Sequence, residues 1–187
     1  TSGRRNVTRH ANIFAILFSV ADEKKQEKIL KNVLENDEIP AITTPYFNFF
    51  ELDVLCRMGK LTEVLDKIRS YWGGMLDLGA VTFWEEYDPS VPKEEQYDMY
   101  GDHFGKSLCH AWAASPIYFL AKYFAGLDLV NKDGVTYILK PQMQYFTELD
   151  CTLPVGSNGV VRLVWDGEIL EITPNADGGI LELGEQK

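Results

Sequence analysis

The sequence has 187 residues, of which 45% are hydrophobic and 25% are charged, and its formal net charge is −10 at pH 7. This composition is typical of a globular protein and excludes a fibrous or largely disordered chain. The negative charge argues against a nucleic acid as partner, because binding to phosphates requires a cationic surface.

Helical periodicity dominates the chain up to about Gly126. It predicts helices at residues 11–20, 23–34, 46–58, 62–72, 75–78 and 107–124. The first is apolar nearly all round and is therefore expected to be buried. Asp22 is a suitable N-cap for the second helix, Pro45 favours the first turn of the third, and Gly59 favours its end. Pro116 should kink the last helix or mark its real start.

A long connection precedes the last helix and runs from residue 79 to residue 102. Connections of this length in compact domains are usually functional or disordered. This one carries Phe83, Trp84 and Tyr87 among acidic residues, and side chains that can pack favour an ordered, functional loop.

After Gly126 the residues alternate and turns become frequent. The pattern predicts strands at residues 135–139, 145–149, 159–165, 169–172 and 179–183. Asp166-Gly167 indicates a hairpin turn. We therefore expect an α-then-β chain, in which residues 1–125 form part of a helical barrel and residues 126–187 form a small antiparallel β-sandwich.

Metal, cofactor and membrane signals are weak. The three cysteines, Cys56, Cys109 and Cys151, lack the spacing of a metal site, and we expect no metal and no other cofactor. The apolar run 13–20 is too short to span a bilayer, so no membrane partner is expected. No signal peptide is visible, which leaves the compartment open, and the absence of an initiator Met leads us to expect residues before Thr1.

The strongest chemical candidate is a group of three carboxylates, Glu85, Glu86 and Asp88, next to Trp84. A carboxyl group held against an indole ring is desolvated, which raises its pKa and suits it to proton transfer near neutral pH. In an extended segment Glu85 and Glu86 point to opposite sides, so only one readily faces a cleft. The alternative is a solvated acidic loop in which Trp84 anchors the core.

Three further positions allow two interpretations each. His110 is either a catalytic group or a hydrogen-bonded core residue at a helix start. Trp72, which precedes two glycines, either stacks on a sugar ring or closes the core at a helix end. His103 follows Asp102, and we favour a local ion pair or a cap for these two residues.

Five segments resemble, in order and spacing, those of glycoside hydrolase family 78, the bacterial α-L-rhamnosidases. They are His10-Ala11-Asn12, Thr44-Pro45-Tyr46-Phe47, Tyr71-Trp72-Gly73-Gly74-Met75, Gly79-Ala80-Val81-Thr82-Phe83-Trp84-Glu85 and Ser107-Leu108-Cys109-His110-Ala111-Trp112. The fourth segment is the most specific. The resemblance covers residues 1–125 well and the β region in outline.

The resemblance implies an inverting enzyme with a six-hairpin α/α barrel followed by a C-terminal β-sandwich. It places the general base at Glu85, makes Trp72 and Trp84 walls of the rhamnose subsite, and lets His110 contact the sugar. Inversion needs a second carboxyl group as acid, about 6.5–9.5 Å away, and the resemblance places that acid well before His10. The expected partners are therefore a rhamnose-containing glycoside and the N-terminal remainder of the enzyme, and the chain alone should be inactive.

Two other interpretations stay open. The chain could be a non-catalytic module that recognises sugar or protein, in which case Glu85 should be solvated or paired with a cation. It could also belong to another α/α-barrel glycosidase that acts on a different sugar, which only the contacts to the substrate would decide.

Overall fold

A computed structural model of the chain describes residues 6–129, 136–157, 159–174 and 180–183. The chain divides into two compact units, Thr1–Ser115 and Pro116–Lys187. Helices make up the first unit and strands most of the second, so the predicted order of α then β is confirmed. The division between the compact units falls after Ser115, and the predicted domains 1–125 and 126–187 stay a prediction.

The first unit is built from short helices that lie close to the predicted positions. Its α-helices are α1 (Arg9–Leu17), α2 (Glu23–Ile29), α3 (Pro45–Arg57), α4 (Leu61–Lys67) and α5 (Gly73–Asp77). π-Helical segments, Leu30–Leu34 and Ile68–Trp72, continue α2 and α4. Short 3-10 turns lie at Lys93–Glu95 and Ala111–Ala113.

The predicted helix boundaries agree with local chemistry. The Asp22 carboxylate accepts a 3.0 Å hydrogen bond from the Lys25 backbone N–H and so caps α2. Pro45 is the first residue of α3, where its missing N–H costs no helical bond. Gly59 follows that helix with φ +73°, a conformation that glycine adopts without steric penalty.

Helix α1 is less buried than its composition predicts. It buries Arg9, Ile13 and Ile16 on one stripe, whereas Phe14 is half-buried and Phe18, just past its end, is exposed. The expectation of a fully buried helix was wrong, because within this unit α1 packs mainly on α3 and the segment that follows α2.

A buried ion cluster joins three parts of the first unit. Arg9 of α1 donates to the Leu34 carbonyl at 2.7 Å and to Glu51 Oε1 of α3 at 3.0 Å. Lys67, at the end of α4, donates to the same Glu51 oxygen at 2.6 Å. Burial lowers the pKa of Lys67, while the neighbouring Glu51 carboxylate opposes this effect. These ion pairs connect α1, α3 and α4 within the first unit.

The predicted helix 107–124 is wrong in its first half. The α-helix α6 spans Ser115–Phe119 and continues as a π-helical segment, Leu120–Phe124. Pro116 thus marks the real start, one of the two outcomes expected of it. Residues 107–110 are irregular because their backbone groups bond to the long connection instead: Ser107 O accepts from Glu85 N, and His110 N donates to Phe83 O.

The second unit contains two three-stranded sheets. Its strands are β1 (Leu127–Leu129), β2 (Thr136–Leu139), β3 (Leu149–Val155), β4 (Gly159–Trp165), β5 (Leu170–Pro174) and β6 (Ile180–Leu183). The sheet orders are β1-β2-β6 and β3-β4-β5. All pairs are antiparallel except β2 with β6, which is parallel and departs from the antiparallel expectation.

The strand predictions fail where turn chemistry was misread. The predicted strand 145–149 is instead a 3-10 turn, Met143–Tyr145, followed by β3 from residue 149. Pro154 lies within β3, which tolerates it because β3 is an edge strand. β1 was not predicted, β4 matches its prediction, and the predicted starts at residues 135 and 179 lie outside the described residues.

One hydrophobic cluster joins the two sheets of the second unit. Its buried members come from β2, β3 and β4 and from the residue after the π-helical segment Leu120–Phe124: Ala125, Tyr137, Leu139, Leu153, Val155, Val161 and Leu163. Alternate residues of each strand enter the cluster, as period-two geometry requires. At the turn between β4 and β5, the Asp166 carboxylate accepts from the N–H groups of Glu168 at 2.9 Å and Ile169 at 2.7 Å.

Candidate functional site

Backbone hydrogen bonds hold residues 83–87 between two other segments of the first unit. Glu85 N donates to Ser107 O at 2.9 Å on one side, and Tyr87 N donates to Thr43 O at 3.0 Å on the other. The side chains of Glu85 and Glu86 also have different partners: Glu85 bonds to Tyr100 and Ser107, and Glu86 bonds to Thr43. Which of the two glutamates faces a cleft stays a prediction.

Glu85 is buried, with 8% of its surface exposed, and both carboxylate oxygens have donors. Oε1 accepts a 2.8 Å hydrogen bond from the Tyr100 hydroxyl. Oε2 accepts a 3.1 Å hydrogen bond from the backbone N–H of Ser107. The carboxylate is held by a phenol and a main-chain amide, neither of which carries a charge.

The other two carboxylates of the segment have local partners. Glu86 Oε1 accepts from the Thr43 hydroxyl at 2.6 Å. Asp88 Oδ1 accepts from the backbone N–H of Ser90 at 2.9 Å and from its hydroxyl at 2.6 Å. These bonds fix the connection in place and direct Glu86 and Asp88 away from the partners of Glu85.

The pKa of Glu85 is lowered, so the expectation of a net rise from desolvation was wrong. The Tyr100 hydrogen bond is the largest cause, and the Ser107 N–H and the charges of His110 and Lys106 act in the same direction. Burial opposes them but is outweighed. Glu85 is therefore ionised at neutral pH, which is the state of a proton acceptor.

His110 lies beside the carboxylate, as the sequence suggested, but it precedes a 3-10 turn rather than starting a long helix. Its Nε2 is 3.9 Å from Glu85 Oε1, and its side chain is 29% exposed. Its Nδ1 is buried and has no hydrogen-bond partner among the described residues. The ring centroid is 4.8 Å from that of Trp112. The imidazole is thus held by packing, with Nε2 next to the carboxylate.

Both predicted tryptophan walls lie in packed surroundings. Trp84 is 2% exposed, and its ring centroid is 5.7 Å from that of Tyr97. Trp72 is also buried and donates from Nε1 to the Ala113 carbonyl at 2.8 Å. It also borders a hollow of about 210 Å³ with Phe83. The geometry is that of core residues, and the subsite roles of Trp72 and Trp84 stay a prediction.

Sequence reasoning missed two aromatic residues of the site. Tyr100 contacts Glu85 directly, and the only available signal was its position before Gly101 in a turn-like segment. Trp112 is 47% exposed and lies between His110 and Tyr46, with centroid distances of 4.8 Å and 5.2 Å. Both Tyr46 and Trp112 belong to the segments that resemble the rhamnosidases, which was the signal for them.

The predicted pair of His103 and Asp102 is replaced by a pair of His103 with Asp98. His103 Nδ1 lies 2.6 Å from Asp98 Oδ1, and both side chains are exposed. Asp102, which was the expected partner, instead accepts the Phe104 N–H at 3.1 Å. The pair belongs to the surface of the connection and leaves His110 as the histidine of the site.

A larger hollow of about 530 Å³ lies elsewhere in the first unit and is bordered by Lys67, Tyr71 and Asp88. Burial raises the pKa of Tyr71, whose hydroxyl donates to the Thr43 carbonyl. Glu85 does not border this hollow. We place the candidate site at Glu85. Its carboxylate is ionised, accepts hydrogen bonds from the Tyr100 hydroxyl and the Ser107 N–H, and lies next to the His110 imidazole.

In the part of the chain that the structure describes, His, Cys, Asp and Glu residues form no group arranged to hold a metal ion. No helix in those ranges has both the length and the apolar character needed to cross a bilayer.

Comparison with known proteins finds a match among solved structures. The crystal structure of a GH78 family rhamnosidase of Bacillus sp. GL1 matches 95% of this chain with a TM-score of 0.76 and 25% sequence identity. The match confirms the resemblance that the motifs indicated. The chain spans 19% of the length of that protein. No family model and no curated sequence matches this chain.

Proposed function

We propose that this chain is part of an inverting glycoside hydrolase that releases terminal α-L-rhamnose, with Glu85 as the general base. The observation that carries the proposal is the Glu85 carboxylate, which is ionised, buried and fixed by two uncharged donors beside His110. The structural likeness to a GH78 family rhamnosidase supports the choice of sugar and reaction.

The proposed step begins with a water molecule at Glu85. A carboxylate has about four lone-pair positions, and the bonds from Tyr100 and Ser107 occupy two of them. A free position accepts a proton from water as the oxygen attacks the anomeric carbon of the sugar. The leaving oxygen takes a proton from the acid as the bond to the aglycone breaks, and the configuration inverts because water attacks from the opposite face.

His110 and its aromatic neighbours are proposed to hold the sugar. The Nε2 atom, 3.9 Å from Glu85 Oε1, is suited to bonding a sugar hydroxyl next to the reacting water. Trp112 and Tyr46 present partly exposed rings in the same row, and such rings stack on the apolar faces of sugars. They are better placed than the buried Trp84 to form a subsite wall.

The general acid is proposed to come from residues outside this chain. Glu86 and Asp88 are bonded to Thr43 and Ser90, whereas Glu85 is bonded to Tyr100 and Ser107, so we assign the acid to neither of them. A partner carboxylate supplied by the N-terminal remainder of the enzyme would complete the pair. No metal or cofactor is needed for this reaction.

The architecture is proposed to follow the same family. Residues 1–125, which carry α1 to α6, would form the C-terminal part of a six-hairpin α/α barrel, and residues 126–187 would form a β-sandwich. The hydrophobic cluster shared by the sheets of the second unit supports the latter assignment. The same fold would also serve a glycosidase for another sugar, which substrate panels would reveal.

The binding-module alternative has less support. It predicts a Glu85 that is solvated or paired with a cation, whereas its buried carboxylate bonds to Tyr100 and Ser107. His110 Nε2, 3.9 Å from Oε1, is the contact that this alternative would use as the cation.

The test is Glu85→Gln in the complete enzyme, with hydrolysis of an aryl α-L-rhamnoside as the assay. We expect kcat to fall by about 10³-fold or more with rhamnose binding retained, because the water loses its base. Glu86→Gln is the matched control and should retain most activity. Unchanged turnover in Glu85→Gln would remove Glu85 from the mechanism.

A further inference from the structure

The backbone at Tyr100 is strained. Tyr100 has φ +55° and Gly101 has φ +81°, and Met99 and Asp102 pair across them through two backbone hydrogen bonds of 3.0 Å and 2.9 Å. A two-residue turn with both φ values positive favours Asn-Gly or Gly-Gly, and a bulky residue in its first position is uncommon. Strain of this kind persists where the surrounding structure over-determines it.

The turn is held by its neighbours rather than by the Tyr100 ring. Lys106 N donates to Tyr97 O at 3.1 Å, and Gly105 N donates to Asp102 O at 3.2 Å. A Cβ on Gly105 would overlap the Met99 carbonyl, so only glycine permits this close approach. The base of the turn is therefore rigid, and the position of the Tyr100 side chain is set by the backbone.

The Tyr100 ring is 80% exposed, yet its hydroxyl reaches a buried atom. It donates to Glu85 Oε1, which is also the oxygen that lies 3.9 Å from His110 Nε2. An exposed tyrosine gains little from burial of its ring, so the hydrogen bond is the chief interaction that this strained residue makes with the site.

We propose that Tyr100 is a positioning residue for Glu85, and that its turn presents the phenol so that Oε1 keeps one orientation toward His110. This rests on the proposed function only for its kinetic consequence. In the free protein, the Tyr100 hydroxyl should fix the rotamer of the Glu85 side chain. During turnover, the lone pairs of the Glu85 carboxylate that remain for water should point in one direction.

The charged and titratable groups around Glu85 are few. Lys106 and His110 favour the ionised carboxylate, and Tyr100 and the Ser107 N–H bond it directly. The Glu85 carboxylate in turn raises the pKa of Tyr100, so the phenol stays protonated and remains a donor. Replacing the hydroxyl removes the largest of the influences that keep the Glu85 pKa low.

The first experiment needs no activity. The Glu85 side-chain carboxyl is titrated by NMR in this chain and in Tyr100→Phe, which keeps the ring and the turn. We expect the Glu85 pKa to rise in Tyr100→Phe. Tyr97→Phe is the matched control, since the Tyr97 hydroxyl forms no hydrogen bond in the described ranges, and it should leave the titration unchanged. An unaltered Glu85 titration in Tyr100→Phe would overturn the proposal, whatever the protein catalyses.

The second experiment uses the complete enzyme with an aryl α-L-rhamnoside. In Tyr100→Phe we expect kcat to fall about ten-fold with KM changed less than about two-fold, the size of one lost hydrogen bond to a charged group. The acidic limb of the kcat profile should move to higher pH. A shifted NMR titration with no change in the kinetic profile would separate the two proposals: Tyr100 would position Glu85, but Glu85 would not be the base.

Tyr100→Asn separates the hydroxyl from the turn, because asparagine tolerates positive φ but cannot reach Glu85. We expect the same NMR and kinetic shifts as in Tyr100→Phe. A variant that keeps the wild-type titration would show that the turn alone sets the carboxylate, and the role assigned to the hydroxyl would be wrong.

Discussion

The indole Nε1 of Trp72 donates a 2.8 Å hydrogen bond to the carbonyl oxygen of Ala113, forty-one residues away. This bond joins the end of the segment following α4 to the 3-10 turn that comes directly after His110. The turn carries Trp112, whose ring contacts the imidazole. Trp72 thus holds in place the turn that carries Trp112, next to His110.

Replacing Trp72 by phenylalanine should therefore affect stability first. The variant removes the donor and leaves the buried Ala113 carbonyl unsatisfied, which costs about 1–3 kcal/mol of the free energy of unfolding. Urea denaturation of the chain measures this loss. The matched control is Trp112→Phe, which replaces a half-exposed indole whose N–H has no hydrogen bond among the described residues and should cost less than about 1 kcal/mol.

If Trp72 were instead a sugar platform, Trp72→Phe would weaken rhamnose binding while the denaturation midpoint stayed near the wild-type value. That result would restore the original prediction of a subsite wall.

The buried ion cluster gives a second prediction. Glu51 Oε1 accepts from both Arg9 and Lys67, and the Glu51 side chain is 3% exposed. Glu51→Gln leaves the buried Arg9 and the partly buried Lys67 without their counter-charge, so we expect the free energy of unfolding to fall by about 3–5 kcal/mol. Denaturant unfolding provides the measurement.

Glu35→Gln is the control for that change, because Glu35 pairs with Lys60 at 3.6 Å on the surface and should cost about 0–1 kcal/mol. Equal losses in the two variants would mean that Glu51 acts as an ordinary surface charge.

Periodicity predicted most helices because their signals are local. Asp22, Pro45 and Gly59 act through their own backbone neighbours, and the structure has them at the predicted ends of α2 and α3. Residues 107–110 were misassigned because their backbone partners, Phe83 and Glu85, lie more than twenty positions away. Tertiary hydrogen bonds there override a helical pattern.

The site shows the same division between local and distant causes. Glu85 and His110 were predicted because they lie in recognisable segments. Tyr100 and the sign of the Glu85 pKa shift were not, because both depend on a turn fifteen residues away that brings a hydroxyl to Oε1. Desolvation can be anticipated from a neighbouring indole, whereas a hydrogen bond of this kind requires the folded coordinates.

A third prediction follows from the direction of that shift. The folded-state pKa of Glu85 lies below its ordinary value of 4.5, so the ionised group stabilises the fold above that value. The contribution is lost as the pH falls through the lowered folded-state pKa. Unfolding measured along an acid series should therefore show a smaller loss of stability in Glu85→Gln than in the wild type.

Glu94→Gln is the control for the acid series, because Glu94 is exposed on the short 3-10 turn at Lys93–Glu95. It should follow the wild-type pH dependence. If Glu85→Gln also follows it, the carboxylate has the same pKa folded and unfolded, and the hydrogen bonds from Tyr100 and Ser107 do not favour its ionised form.

Two adjacent glycines at the start of α5 should respond in opposite ways to alanine. A Cβ on Gly73 meets no atom within 4 Å, so Gly73→Ala should raise the free energy of unfolding by about 0.4–1 kcal/mol through a less flexible unfolded chain. A Cβ on Gly74 would lie 2.7 Å from Cζ of Tyr87, a buried ring whose backbone N–H is bonded to Thr43. Gly74→Ala should therefore cost about 1–3 kcal/mol.

Each variant acts as the control of the other in thermal unfolding, because the two glycines are adjacent in the same helix and the same residue replaces them. If Gly74→Ala matched Gly73→Ala, Tyr87 would have room to move, and the connection that carries Glu85 would be less firmly packed on α5 than its contacts indicate.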